Sequence, residues 1–456
     1  MKKLLVVLLS LGLIVALSTA ASAVDVKFSG GYYVAGVYDN NADLQASDAA
    51  YSRAYFFQRV RLQPVFQIAE GLTLTVRIDA LEKQWGNTNW RTGFAETTNS
   101  RPSAVVNTTT GVGTSRAQEN IEFERAYVTF KTAIGQFDVG YQAAGAWGTV
   151  FANSEVTKPR IKFTTQAGPM TLLAIYEKAF EADTSYTPGY VATLSNGKTD
   201  ADSDNYYLAG IYSFKGGNAG LLYGFLNNDS QRVSTTVPPR PYTSKIHLLE
   251  PYVKATFGPV YVEAEVDYFF GDAQKFDNVA GATDVKKDGW SAYLMVKANL
   301  GPAYFGGQVG WAAGDDNAAD DTDHSGAGGG WDWNPALILM NDDLNTWAGG
   351  LGANSANSAK TNFLLYNTFV GFNVTPKLNV EAALTYAKKD KITAANVSDE
   401  LGWEFDVTAT YKLYDNLSYM VGAGYLWAGD YFKGTTNAPK EIGNDYMLMN
   451  KLTLSF

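Results

Sequence analysis

Charged side chains recur at every second position in several stretches of this sequence, and they form two groups of opposite sign. The basic group is Arg59, Arg61, Arg77, Arg125, Arg160 and Lys162, with Asp79 and Glu155 standing among them. The acidic group, Glu263, Glu265, Asp267, Glu381, Glu404 and Asp406, comes half a chain later. Side chains spaced by two share one face of a β-strand, so each group predicts a charged wall. Two walls of opposite sign across a narrow, low-dielectric mouth would set up a transverse field. Small zwitterions and hydrated ions can align in such a field, whereas bulky apolar solutes gain little. The structural alternative is that some of the basic side chains only pair with Asp79, Asp138 or Glu155 as scaffold.

The element that must position the first basic residues runs from Tyr55 to Ala80. On either side of Ala69-Glu70-Gly71 it alternates with period two, the mark of strands with one face buried. Leu62, Pro64, Phe66 and Ile68 share a face and are answered by Leu72, Leu74, Val76 and Ile78. The other face carries Arg59, Arg61, Gln63, Gln67, Thr73, Thr75, Arg77 and Asp79. Pairing Ile68 with Leu72 across the turn places Arg61 opposite Asp79 and Gln63 opposite Arg77. The result is a long hairpin with one greasy face and one charged face. A sandwich would bury the greasy face; a membrane barrel would turn it to lipid.

The same unit repeats along the chain from Val26 onward. In Val260–Phe270, Val262, Ala264, Val266 and Tyr268 alternate with Glu263, Glu265 and Asp267; Trp403–Leu413 repeats the pattern around Glu404 and Asp406. One set of connections is tight and rich in Gly, Pro or Asn, such as Gly168-Pro169, Gly258-Pro259, Gly301-Pro302 and Asp415-Asn416, which preset turns. The other set is long and polar, for example 86–118, 143–158, 183–203 and 314–360. Short turns at one rim and long loops at the other are the asymmetry of an outer-membrane barrel. The expected fold is therefore all-β: a transmembrane antiparallel β-barrel of about eighteen strands, with sixteen as the fallback, short periplasmic turns and long extracellular loops. Pro64 lies mid-strand, where it cannot donate to a ladder, and Glu122 and Glu124, out of step with Arg125, Tyr127 and Thr129, call for a bulge or an early end of that strand.

Composition agrees with export and with a barrel. Lys2 and Lys3 precede an apolar run that ends at Ala21-Ser22-Ala23, the form of a cleaved signal peptide over residues 1–23. Residues 24–456 would then be one barrel. The net charge of −10 becomes −12 without those two lysines, which speaks against a nucleic-acid partner. Charged residues are only 18%, below the ~25% of ordinary chains. With no cysteine at all, haem attachment through thiols, thiolate metal sites and cysteine catalysis are excluded.

The last segment alternates Leu452, Leu454 and Phe456 with Lys451, Thr453 and Ser455, with Tyr446 and Leu448 farther back. It resembles the closing strand of bacterial outer-membrane barrels. Together with the signal peptide and the opening VDVKFSGGYYVAGVY, the chain resembles general porins, most of all the porin-like proteins of metal-reducing delta-proteobacteria. The resemblance implies a water-filled channel for passive diffusion of small hydrophilic solutes and ions. It also implies a trimer in outer-membrane lipid, and recognition of Tyr446, Leu452, Leu454 and Phe456 by the barrel assembly machinery. The third long loop, about Ala143–Lys158 with Trp147 and Glu155, would fold inward as a constriction. Two alternatives keep the barrel: a scaffold supporting outer-membrane electron-transfer cytochromes or envelope integrity, and an anion-selective porin.

Other motifs point to little chemistry. Asp315, Asp316, Asp320, Asp321 and Asp323 could hold Ca²⁺, but their spacing is not that of an EF-hand, and a solvated acidic loop accounts for them. The nearby stretch Trp331–Met340 is apolar for an exposed loop, and it is expected to pack against protein as a lid or against a neighbouring subunit. His247 and His324 are the only histidines, and no nucleophile elbow is present. The expectation is a non-enzymatic protein without a cofactor.

Overall fold

In a computed structural model, the described residues are 24–46, 52–85, 121–181, 201–232, 240–277, 279–315, 317, 320–326, 328–341 and 361–456. The expected signal peptide, residues 1–23, and Asp316 lie outside them. The first strands are β1 Asp25–Asp39, β2 Arg53–Ala69, β3 Leu72–Gln84, β4 Ile121–Thr132, β5 Gly135–Ala144 and β6 Val156–Ala167. They continue as β7 Met170–Phe180, β8 Ser203–Phe214, β9 Gly217–Asn228, β10 Tyr242–Phe257, β11 Val260–Phe276, β12 Val285–Leu300 and β13 Ala303–Ala312. After the short β14, Thr322–Asp323, come β15 Phe363–Thr375, β16 Leu378–Lys388, β17 Glu400–Tyr414, β18 Leu417–Ala428 and β19 Asp445–Ser455.

All of these except β14 form a closed antiparallel barrel of 18 strands. Closure is made by β19 against β1, from Gly31–Ser455 to Asp39–Met447. Beyond the last ladder pair, Gly30 and Phe456 exchange backbone hydrogen bonds of 2.8 and 3.1 Å. β14 pairs parallel to β12 inside a long loop and is not a stave. The tight turns fall where the sequence places them: Glu70-Gly71, Gly168-Pro169, Gly258-Pro259, Gly301-Pro302 and Asp415-Asn416 are each the whole connection between two strands.

In the β2–β3 hairpin Arg61 lies opposite Asp79, as its alternation predicts. The turn itself pairs Ala69, not Ile68, with Leu72, and a register shift next to it restores the phase. The β2–β3 ladder skips Gln63 and Pro64, while the β1 side continues through Phe28–Pro64. The proline is thus tolerated at the loss of local pairing on one side. Glu124 is the extra residue of a bulge: Arg77 pairs with Arg125 and the neighbouring Ile78 with Phe123.

The outer wall is apolar and exposed, as on β17, where Trp403, Phe405 and Val407 are 45%, 43% and 39% exposed while Glu404 and Asp406 between them are buried. The buried core is therefore inside the barrel. It joins inward side chains of several strands, Phe57, Tyr293, Phe363, Leu365, Leu401, Leu426 and Met447, to Phe151, Trp333, Ile338, Leu339 and Met340 of two loops.

Candidate functional site: a lumen crossed by two loops

The connection between β5 and β6 leaves the rim at Gly145 and crosses to strands on the far side. Trp147 donates its indole N–H to the carbonyl of Glu250 on β10 at 2.9 Å and sets its ring edge-on to Tyr252. The backbone N–H of Thr149 donates to Glu265 on β11 at 2.5 Å. Phe151 stacks on Tyr293 of β12, with centroids 5.2 Å apart and planes within 5°. Gly148 makes this approach possible: its φ is +57°, and a Cβ there would collide with the Glu265 carboxylate. The third long loop is thus folded inward, held by one aromatic stack and by carboxylate-to-backbone hydrogen bonds.

A second segment, residues 328–341, lies against it. Gly330 and Asp332 donate backbone N–H groups to the carbonyls of Phe151 and Asn153 at 2.5 and 3.0 Å. Glu155 in turn donates its backbone N–H to the Asp332 carboxylate at 3.2 Å. Trp333 packs on Phe151, Tyr293 and Phe363 and donates its indole N–H to Gln308 at 2.8 Å. Beyond it, Ile338 and Leu339 donate backbone N–H groups to the two oxygens of Glu404 at 2.6 and 2.7 Å, and Leu337 donates to Asp406 at 3.2 Å. The apolar stretch Trp331–Met340 packs within its own barrel.

The basic residues of β2 to β6 occupy the inner wall as ion pairs. Arg61 grips Asp79 with both Nε and Nη2, at 2.7 and 2.6 Å, a bidentate geometry. Arg59 reaches Glu82 at 3.3 Å and Asp79 at 3.9 Å. Arg160 pairs with Glu177 at 2.6 Å and Lys162 with Asp138 at 3.0 Å. Arg77, 2.6 Å away, and Arg125 both bind the Glu155 carboxylate of the third loop. Burial by itself would raise the Glu155 carboxyl, but the hydrogen bonds and charges of the two arginines outweigh it and hold it at about 2. At Glu155 the carboxylate is the more exposed partner, 42% against 13% for Arg77 and 10% for Arg125, whereas three other basic residues stand in front of their acids. The Asp79, Glu82, Asp138 and Glu177 side chains are at most 5% exposed, while Arg59, Arg61 and Lys162 in front of them keep 27% to 31%.

The acidic residues of the later strands are placed differently. Glu265, Glu404 and Asp406 are covered by the loops whose backbone amides they accept. Glu263 accepts hydroxyls from Tyr293 and Tyr261 at 3.0 and 2.8 Å, and Glu381 accepts one from Tyr304 at 2.8 Å. Asp267 is fully buried, and among the described residues neither carboxylate oxygen has a hydrogen-bond partner. In the long loop, Asp323 pairs with Lys287 at 2.7 Å; burial opposes its ionisation, but Lys287 and Ser325 hold it below the ordinary range. Asp315 and Asp320 accept the nearby backbone amides of Asn317 and Thr322. Among the described residues no group of three carboxylates or histidines is arranged around a metal position.

Sequence reasoning missed Glu82 and Glu177. Strict alternation from Asp79 turns Glu82 outward; the left-handed backbone of Leu81, φ 56°, rotates it back in beside Arg59. Glu177 shares its face of β7 with Leu173 and Ile175 and with no other charge, so no pattern marked it.

No protein-family model matches the chain, and no curated protein matches its sequence. Its fold has clear counterparts among solved structures. OpdQ of Pseudomonas aeruginosa superposes with a TM-score of 0.50 at 14% identity, covering 95% of this chain and 97% of that one. The outer membrane protein OpdK of the same organism gives 0.50 at 12% identity, over 94% and 99%. They share the barrel fold. At such identity the likeness establishes architecture, and function has to be argued from the lumen.

Proposed function

We propose that the chain is an outer-membrane porin, a non-enzymatic channel through which small hydrophilic solutes and ions diffuse passively. The observation that carries this reading is the contrast between an exposed apolar outer wall and an inner wall of charged pairs narrowed by an inward third loop. Such a wall is stable only in contact with lipid, and charged pairs are stable only in a wet lumen. Residues 1–23 act as the cleaved signal peptide, and Tyr446, Leu452, Leu454 and Phe456 are what the barrel assembly machinery reads. Solutes pass along the β2–β6 sector, because 328–341 fills the space in front of β17.

One observation favours the anion-selective form of this reading. Glu263, Glu265, Glu381, Glu404 and Asp406 are taken up by tyrosines and loop amides, whereas Arg59, Arg61 and Lys162 stand forward of the carboxylates they pair with, and Glu155 of the third loop stands forward of Arg77 and Arg125. Conductance of the purified protein in planar bilayers tests the channel, and reversal potential in a KCl gradient tests its sign. A barrel that inserts and stays silent would overturn the porin reading and favour a scaffold, for instance one supporting outer-membrane cytochromes.

A further inference from the structure

Three carboxylates gather beneath the root of the third loop. They are Glu250 on β10 and Glu265 and Asp267 on β11, all on the inner face of their strands. The pairs Leu249–Tyr268 and Tyr252–Glu265 set the register between the two strands, and it puts Glu250 opposite Asp267. On the other side of Asp267, β12 presents the buried Ser291. The loop roofs the group: Trp147 is bonded to the Glu250 carbonyl and Thr149 to one carboxylate oxygen of Glu265.

The loop does not serve Asp267. That side chain is fully buried, and among the described residues neither of its oxygens accepts a hydrogen bond; the second oxygen of Glu265 accepts none either. The charges that act on Asp267 are those of Glu250 and Glu265, both of its own sign. Lys254 acts on Glu265, but its ammonium stands over the Tyr252 ring at 5.8 Å, and no described base is ion-paired with any of the three acids. The opposite sector shows the contrast: Asp79, Glu82, Asp138 and Glu177 each have an arginine or lysine in contact.

Like charges crowded into a dry place cannot all be carried without a counter-charge. Protons or a cation must supply it, and the setting favours a cation. Every polar side chain at the spot offers oxygen, the donor that hard divalent ions take. Glu250 is only half-buried, which leaves an approach from the lumen. The acids do not converge as a ready cage of three. Mg²⁺ needs none, since it is commonly held by one or two carboxylates and keeps several of its waters. We propose that Asp267 and Glu250 bind one hydrated divalent cation of the Mg²⁺ kind at the root of the third loop, with Glu265 adding its charge from the side.

Mn²⁺ accepts the same oxygen ligands as Mg²⁺ and is paramagnetic, so it serves as the probe. The protein, purified in detergent, stripped with EDTA and titrated with Mn²⁺, should bind one ion per chain, read as loss of the free-ion signal in electron paramagnetic resonance. Mg²⁺ should displace it. Asp267→Asn, close in size and uncharged, should weaken binding roughly tenfold or more, and Glu250→Gln by a similar factor, with the heat resistance of the folded barrel kept in both. Should one of these fail to fold, the other carries the comparison. Asp320→Asn combined with Asp321→Asn, in the acidic loop, should leave the affinity unchanged. Failure of the parent to retain Mn²⁺ would overturn the site and leave the three acids to protons. So would binding that survives both Asp267→Asn and Glu250→Gln, or binding that is lost with the acidic loop. The inference goes beyond the porin reading and fails separately from it: a barrel silent in bilayers leaves the cation site standing, and an absence of Mn²⁺ binding leaves the channel standing.

Discussion

Glu404 accepts the backbone N–H of Leu339 at 2.7 Å from beneath the loop, and its second oxygen takes the N–H of Ile338. A side chain on an antiparallel stave is thereby the anchor of a segment more than sixty residues earlier. Hydrogen bonds of this kind are worth about 0.5–1.5 kcal/mol each. In Glu404→Gln one oxygen becomes a donor facing an N–H, so at least one bond is lost. Residues 337–339 should detach part of the time while the ladder around β17 holds. Single-channel recording should show higher mean conductance with added open-channel noise; an unchanged trace would mean that the latch does not limit the passage.

The Glu155 clamp gives a pH window with a defined sign. Its carboxyl is held at about 2 against an ordinary 4.5, chiefly because Arg77 and Arg125 overcome the effect of burial. A carboxyl depressed in the folded state stabilises that state fully above its unfolded value, and the contribution is lost as pH falls through the folded value. The third loop should therefore stay docked from neutral pH to about 4.5 and loosen progressively toward about 2. Current fluctuations that grow over this interval in the unmodified protein, but are already present and flat with pH in Glu155→Gln, would match. Fluctuations that set in well above pH 5 would point to another group.

The guanidinium layer predicts the direction of selectivity. Replacing Arg59, Arg61 and Arg77 together by Gln removes three cations and leaves Asp79, Glu82 and Glu155 on the same wall. Reversal potential in a salt gradient should move toward cation preference. An unchanged ratio would place these residues off the conduction path.

How much of this was legible depends on what kind of partner each residue has. Period-two alternation located the staves, and Arg61 opposite Asp79 followed from it, because both partners are side chains with fixed directions from the sheet. The bulge at Glu124 was also legible, since Glu122 and Glu124 cannot share a face with Arg125 unless the phase slips. The role of Glu404, Asp406 and Glu265 was not. Their partners are backbone N–H groups of Ile338, Leu337 and Thr149, and every residue carries that group. Alternation could say only that these carboxylates face inward. The apolar run Trp331–Met340 was the visible half of the same arrangement: it needed a dry place, though nothing in its composition said which.

That dry place can be tested through Trp333. Its ring is 2% exposed, wedged among Phe151, Tyr293 and Phe363, and its indole N–H is bonded to Gln308. Truncating a buried tryptophan to alanine typically costs about 3–5 kcal/mol, here drawn from the docking of the loop, because no ladder bond of the barrel passes through residue 333. Trp333→Ala should therefore keep the heat resistance of the folded barrel in electrophoresis. Cleavage within 331–340 by protease added to intact cells should be much faster than in the parent, and single-channel conductance should rise as the filled sector opens. Rapid cleavage of the parent at the same place would show that the segment is not packed in the lumen to begin with.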